Sequence, residues 1–162
     1  MMIKLHRFKN KKIYDEKNFL LHILWFLINN LFFNSFIPFN NLKIKILRVF
    51  GAKIGNNLII KNYVKIKFPW KLVIGDNVWI GEEVWIDNIS NVIIESNCCI
   101  SQGVYICTAS HNFKREAFDL ITENIIIGES SWIGAKSIIL LGAKVPKNSF
   151  VKAGSIFKKS KK

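Results

Sequence analysis

Three side chains of the type that exchange protons near neutral pH occur in the chain: His6, His22 and His111. The first two lie in an amino-terminal stretch that is basic and then apolar. His111 follows Ser110 and opens an irregular polar segment, HNFKREAFDLITEN. A lone imidazole is more often solvated or structurally satisfied than catalytic. One at the root of a loop beside a regular frame stands where loops commonly carry function, so His111 is the candidate general base. Asp87 in WIDN, and Glu82 with Glu83 in IGEEV, are carboxylates able to orient an imidazole or bind a sugar hydroxyl, with a solvated corner charge as the competing reading. Lys152, Lys158, Lys159, Lys161 and Lys162 form a basic end that suits a phosphorylated ligand or simply solubility. Cys98, Cys99 and Cys107 make neither a disulfide framework nor a zinc spacing, so a reducing cytoplasm and no metal are expected. No Walker loop, Rossmann glycine pattern, HExxH or GxSxG occurs.

The frame that must position these residues shows as a beat of six. Ile54, Ile60 and Ile66 are six apart, as are Ile74, Ile80 and Ile86, and Ile94, Ile100 and Ile106; the beat resumes at Ile127, Ile133, Ile139, Val145, Val151 and Phe157. Neither a helix of period 3.6 nor a simple strand of period 2 produces this. It predicts a β-solenoid with three six-residue strands per coil, in which the beat residue points to the axis and stacks on its equivalent one coil later. The residue after the beat, often Gly as at Gly55, Gly75, Gly81, Gly128 and Gly134, is expected to turn the corner. The steps from 66 to 74 and from 86 to 94 each hold two extra residues and predict bulged corners. The step from 106 to 127 is longer and predicts a loop, residues 112–124, thrown out of the prism.

Ahead of the solenoid runs FLLHILWFLINNLFFNSFIPF, residues 19–39, long enough to cross a hydrocarbon core but interrupted by His22, Asn29, Asn30, Asn34 and Ser35. On a helix Asn18, His22 and Asn29 form a narrow polar stripe beside a wide apolar face. This fits a helix lying on a membrane, a helix docked on the domain or a neighbouring subunit, or a span, and no signal peptide is expected. The 162 residues suit one core-forming domain, and with half of them hydrophobic and 22% charged the chain is not a disordered one. The net charge of +13 is concentrated at the ends. Without aromatic and basic residues interleaved on one face, it does not indicate nucleic acid.

The stretches LRVFGAKIG, VKIKFPWKLVIGDNVWIGEEVWIDNISNVIIE, CISQGVYICTASHN, FDLIT and IIIGESSWIGAKSIILLGAKV resemble the hexapeptide-repeat acyltransferases over roughly residues 20–157. Within them the chain is most like the colanic acid biosynthesis O-acetyltransferase branch, beside the maltose, galactoside and nodulation acetyltransferases. The resemblance implies an all-β fold, a left-handed parallel β-helix over 46–162 preceded by a basic amino terminus and apolar α-helix over 1–45, assembled as a homotrimer. It implies acetyl transfer from acetyl-CoA to a sugar hydroxyl of a polysaccharide precursor or glycolipid, in the cytoplasm or at the inner membrane face through residues 19–39. His111 in TASH would be the general base, with a backbone amide stabilising the oxyanion. Trp132, Gly134 and Ala135 in WIGA and Ala153 and Gly154 in KAGS would hold CoA, with Lys158 and Lys159 near its phosphates. Asp87 and Asn112 would face the acceptor; Asn112 stands where the family commonly has Asp. Relatives continue past KAGS into an AGxPAK-like tail where this sequence reads FKKSKK, and the lysines are expected to substitute electrostatically. The alternative is a non-catalytic solenoid scaffold derived from such an enzyme.

Overall fold

A computed structural model describes residues 4–8 and 19–160. Lys161, Lys162 and Asn18 lie outside the described residues. Among the described residues two α-helices, α1 (Phe19–Ile28) and α2 (Asn40–Val49), precede five coils of parallel strands. The first coil holds β1 (Lys53–Ile54), β2 (Ile59–Ile60) and β3 (Lys65–Ile66), and the second β4 (Leu72–Ile74), β5 (Trp79–Ile80) and β6 (Trp85–Asp87). The third holds β7 (Val92–Ile94), β8 (Cys99–Ile100) and β9 (Tyr105–Cys107). An antiparallel pair, β10 (Ala109–His111) and β11 (Leu120–Thr122), interrupts the winding. The fourth coil follows as β12 (Ile125–Ile127), β13 (Trp132–Ile133) and β14 (Ile138–Leu140), and the fifth as β15 (Lys144–Val145), β16 (Phe150–Val151) and β17 (Ile156–Phe157).

Strands of equal rank in each coil pair into three parallel five-stranded faces. Each face carries one column of beat residues: Ile54, Ile74, Ile94, Ile127 and Val145 on the first, for example. From Ile60 to Val151 these side chains are buried, while Ile54 and Phe157, at the two ends of the stack, are half-exposed. A fully buried aliphatic side chain contributes about 1.5–3 kcal/mol, so the columns form the core.

The backbone turns corners differently from the sequence expectation. The left-handed residue is the third after the beat, as at Asn57, Asn77, Asn97 and Gly154, where Asn and Gly tolerate positive φ. The glycine directly after the beat answers a different need, close approach between coils: a Cβ on Gly134 would sit 2.5 Å from Ala153 N and 2.7 Å from Val151 O.

All three long steps of the sixfold beat fall at one corner, between the third face and the first. There Pro69–Lys71 forms a 3-10 turn, residues 88–91 bend, and the β10–β11 hairpin leaves the prism. Buried Asn88 locks two of these turns together: its Oδ1 accepts from Phe68 N at 2.9 Å and its Nδ2 donates to Phe68 O at 2.6 Å. Buried Thr108 donates to Asp87 O at 3.1 Å and accepts from Ser90 N at 2.9 Å, tying in the next.

The apolar run over 19–39 is not one helix. It is α1, a π turn over Asn29–Phe33, and an irregular stretch before α2. No helix among the described residues is long and apolar enough to cross a membrane. His22 of α1 and Asn29 of the π turn face the protein: His22 sits edge-on against Phe68 and Trp70, and Asn29 Oδ1 accepts from Ile66 N at 3.3 Å. Trp25 is buried beside them and donates to Ile66 O at 2.9 Å. Leu20, Leu24, Phe26, Leu27 and Leu31 are consequently turned outward and exposed.

Candidate active site

His111 ends β10, and the hairpin it belongs to determines which nitrogen is available. Its Nδ1 lies 2.7 Å from the carbonyl oxygen of Phe118, which can only accept, so Nδ1 carries a proton and Nε2 is the nitrogen left to serve as a base. The imidazole stacks on the Phe118 ring, with centroids 4.3 Å apart and planes within 1°, and the Phe8 ring meets its edge at 5.3 Å. Phe8 is held there by its own segment: Lys4 N donates to Glu116 O at 2.9 Å, and Lys4 and Arg7 both pair with the Glu116 carboxylate. The imidazole is thus fixed in tautomer by a carbonyl and in orientation by two rings.

His111, Ser110 and Ala109 open onto a cavity of about 400 Å³ whose other walls include Asp87, Lys67, Tyr105, Cys107 and Phe8. Asp87 and Cys107 are register partners on β6 and β9. Lys67 Nζ stands 2.9 Å from Asp87 Oδ1 as an ion pair, although that oxygen makes no hydrogen bond. Tyr105 donates its hydroxyl to Asp87 Oδ2 at 3.2 Å. Burial above all, with Cys107 and Asp87 adding to it, pushes the Tyr105 phenol up, so it remains a donor. The Asp87 carboxylate therefore stands at the wall of the cavity, oriented by a phenol and an ammonium. Asn112 does not line the cavity; its Oδ1 caps the hairpin turn by accepting from Lys114 N at 3.1 Å. Glu82 and Glu83 are exposed on a turn at another corner, the competing reading for both.

The residues expected to hold CoA gather at the corner between the second and third faces. Trp132 is exposed on β13, its indole N donating to Ser101 Oγ at 2.8 Å and its ring 4.8 Å from that of Phe150. Gly134 and Ala135 form the turn after β13, Ala153 and Gly154 the turn after β16, and Gly154 N donates to Ala135 O at 2.8 Å. A Cβ on Gly154 would meet nothing within 4 Å. Ala153 and Gly154 thus leave exposed backbone at this corner, while Gly134 is buried against the next coil. Lys158 and Lys159 lie on the far side of β17 from this corner, and Lys159 pairs with Glu123 at 2.8 Å. Among the described residues no cluster of His, Cys, Asp and Glu is able to hold a metal ion.

Residues 71–107 and 124–157 match the family described as the hexapeptide repeat of succinyl-transferase. A protein of Escherichia coli (strain K12) named as a colanic acid biosynthesis acetyltransferase, WcaF, is 38% identical over 114 residues, covering 70% of this chain and 63% of that protein. The chain belongs to the hexapeptide-repeat acetyltransferase family. It spans less than two thirds of the length of the curated relatives it matches. Among solved structures, a maltose O-acetyltransferase from Clostridium difficile 630 superposes with a TM-score of 0.71 at 21% identity, over 86% of this chain and 78% of that one. The hexapeptide-repeat acetyltransferase VCA0836 of Vibrio cholerae superposes with a TM-score of 0.76 at 21% identity, over 85% and 78%. The structure of VCA0836 complexed with acetyl coenzyme A gives 0.69 at 17%, over 86% and 82%. These share the hexapeptide-repeat solenoid fold with this chain.

Lys67, Tyr105 and Phe8 escaped the sequence reading. Lys67 and Cys107 occupy the position after the beat at the same corner as Asp87, so counting beats in threes would have grouped them. Phe8 carries no such signal.

Proposed function

We propose that this protein is an acetyl-CoA-dependent O-acetyltransferase acting on a sugar hydroxyl of a polysaccharide precursor or glycolipid, with His111 as its general base. The observation that carries the reading is the His111 geometry: Nδ1 is committed to the Phe118 carbonyl, which leaves Nε2 as the nitrogen to serve as base, and His111 lines a cavity that Asp87 also walls. A sugar hydroxyl has a pKa far above 7 and is a poor nucleophile unless a positioned base takes its proton as it attacks. Nε2 takes that proton, and the imidazolium returns it to the departing thiolate. Bound acetyl-CoA supplies the activated acetyl group as a thioester. Asp87 accepts from a neighbouring hydroxyl of the acceptor and holds the ring in place, with Asn112 on the same hairpin as His111.

The donor would lie along Trp132, Gly134, Ala135, Ala153 and Gly154, with Lys158 and Lys159 toward its phosphates; the complex of VCA0836 with acetyl coenzyme A favours this donor. Within one chain that strip and His111 stand at opposite edges of the third face. A homotrimer of left-handed prisms would bring the His111 corner of one copy against the donor strip of the next, which makes residues 46–162 the catalytic domain. The outward apolar side of α1, within residues 1–45, would lie on the inner face of the cytoplasmic membrane, where basic flanking residues favour anionic lipid. The likeness to WcaF supports a role in surface polysaccharide.

Calorimetry with acetyl-CoA, followed by detection of free CoA thiol in the presence of a panel of glycosides, tests the reading. Saturable binding and glycoside-dependent thiol release are expected. No heat at millimolar acetyl-CoA would replace the enzyme with a non-catalytic scaffold.

A further inference from the structure

We propose that the acceptor carries a hydrocarbon tail, and that the tail lies in the groove between α1 and the first two coils. This rests on the reading of the His111 cavity as the sugar site. The groove has a volume of about 570 Å³; Phe19, Ile23 and Phe26 of α1 and Phe68 and Trp85 of the solenoid form its apolar wall, and polar side chains such as Asn34 and Lys65 line the rest. Lys67 and Asp87 line both this groove and the His111 cavity, so the two meet at that ion pair. The result is a site with one polar end, where the base and the carboxylate stand, and one apolar end.

A free sugar fills the polar end and leaves the apolar end without a use. An amphipathic acceptor matches both: the sugar at His111, the ion pair at the junction, and the chain on the rings beyond. The far rim of the groove is α1, whose exposed Leu20, Leu24 and Leu27 continue the apolar surface outward. A chain anchored in a bilayer would therefore pass from lipid to groove without crossing water. The continuity of the groove with the proposed sugar site is what points to the acceptor's own tail as its occupant.

The test compares methyl β-D-glucopyranoside with n-dodecyl β-D-glucopyranoside below its micelle concentration, on the full chain. Each buried methylene strengthens binding about fourfold, so burial of three or four should make the dodecyl glycoside about a hundredfold tighter. A dodecyl glucoside with a terminal diazirine should crosslink within Phe19–Phe26 or at Phe68. In Ile23→Asp and Phe26→Asp the hundredfold ratio should collapse below about threefold, with oligomeric state followed in parallel by sedimentation. Equal binding of the two glycosides, crosslinks elsewhere, or variants that change the oligomeric state instead of the ratio would overturn the proposal, the last because a second copy then covers the groove. Tail-dependent binding without any His111-dependent acetyl transfer would uphold the groove and sink the catalytic reading. Transfer to methyl and dodecyl glycosides at equal KM would do the reverse.

Discussion

Gly134 offers a direct check on the coil geometry that builds the proposed donor strip. In Gly134→Ala the new Cβ would meet three backbone atoms of the next coil: Ala153 N at 2.5 Å, Val151 O at 2.7 Å and Ala153 Cα at 2.9 Å. Ordinary contact begins near 3.4 Å, so the fifth coil must move by about 0.9 Å. No flexible side chain is available to yield instead. That displacement would stretch the Gly134 N to Val151 O hydrogen bond from 2.8 Å to about 3.7 Å, beyond hydrogen-bond range. The Gly154 N to Ala135 O bond, also 2.8 Å, spans the same gap. Overpacking of this kind costs about 1–3 kcal/mol, and the upper part of that range applies because every obstacle is backbone. For a chain of this length each kcal/mol lowers Tm by about 2–4 °C. The expected outcome is a melting point about 5–10 °C lower, with acetyl-CoA bound about tenfold more weakly. The control is Gly154→Asn, where φ is +70 and nothing lies within 4 Å. Asn tolerates that backbone, so it should remain within about 1 kcal/mol of the parent. Differential scanning calorimetry and acetyl-CoA titration read both variants. A Gly134→Ala protein that melts and binds like the parent would refute the argument that glycine here serves coil spacing.

Asn88→Ala removes both hydrogen bonds that tie residue 88 to the Phe68 peptide, while Phe68 O keeps Lys71 N at 3.0 Å. A loss of about 1–3 kcal/mol in urea denaturation is expected. Asp87→Asn removes the partner of Lys67 but not an acceptor for Tyr105. It should raise the acceptor KM severalfold while the acetyl-CoA Kd stays put, and a change confined to the donor would place Asp87 elsewhere. Burial, with the Lys71 charge behind it, holds the His22 imidazole below its ordinary value of 6.5. The unfolded chain therefore binds that proton more readily, so stability is full above about pH 6.5 and falls as pH drops from there toward the lower folded value. The slope of stability between pH 7 and 5 should flatten in His22→Leu.

The stack of coils was legible in the sequence because every axial position repeats on a beat of six, and a buried column tolerates little but Ile and Val. The turn position was not, since glycine after the beat suggested a conformational role where the structure reveals a steric one. His111 and Asp87 were recognisable by type and by their place beside the long steps. Their partners were harder to find. Tyr105 and Lys67 reach Asp87 only through a register that depends on the two extra residues per coil. Phe8 meets His111 through a contact between segments far apart in the chain, which no periodicity records. The direction of α1 was likewise hidden: a polar stripe reads as the solvent face until Trp25, His22 and Asn29 are seen packed against Ile66, Phe68 and Trp70.

The measurement that bears most directly on the account is acetyl transfer from acetyl-CoA to a glycoside acceptor by the parent and by His111→Ala, with acetyl-CoA binding followed in both. Removal of the base should lower turnover by about 10²–10⁴ while the donor still binds, because His111 is not among the residues proposed to hold it. Turnover unchanged in His111→Ala would contradict the central claim.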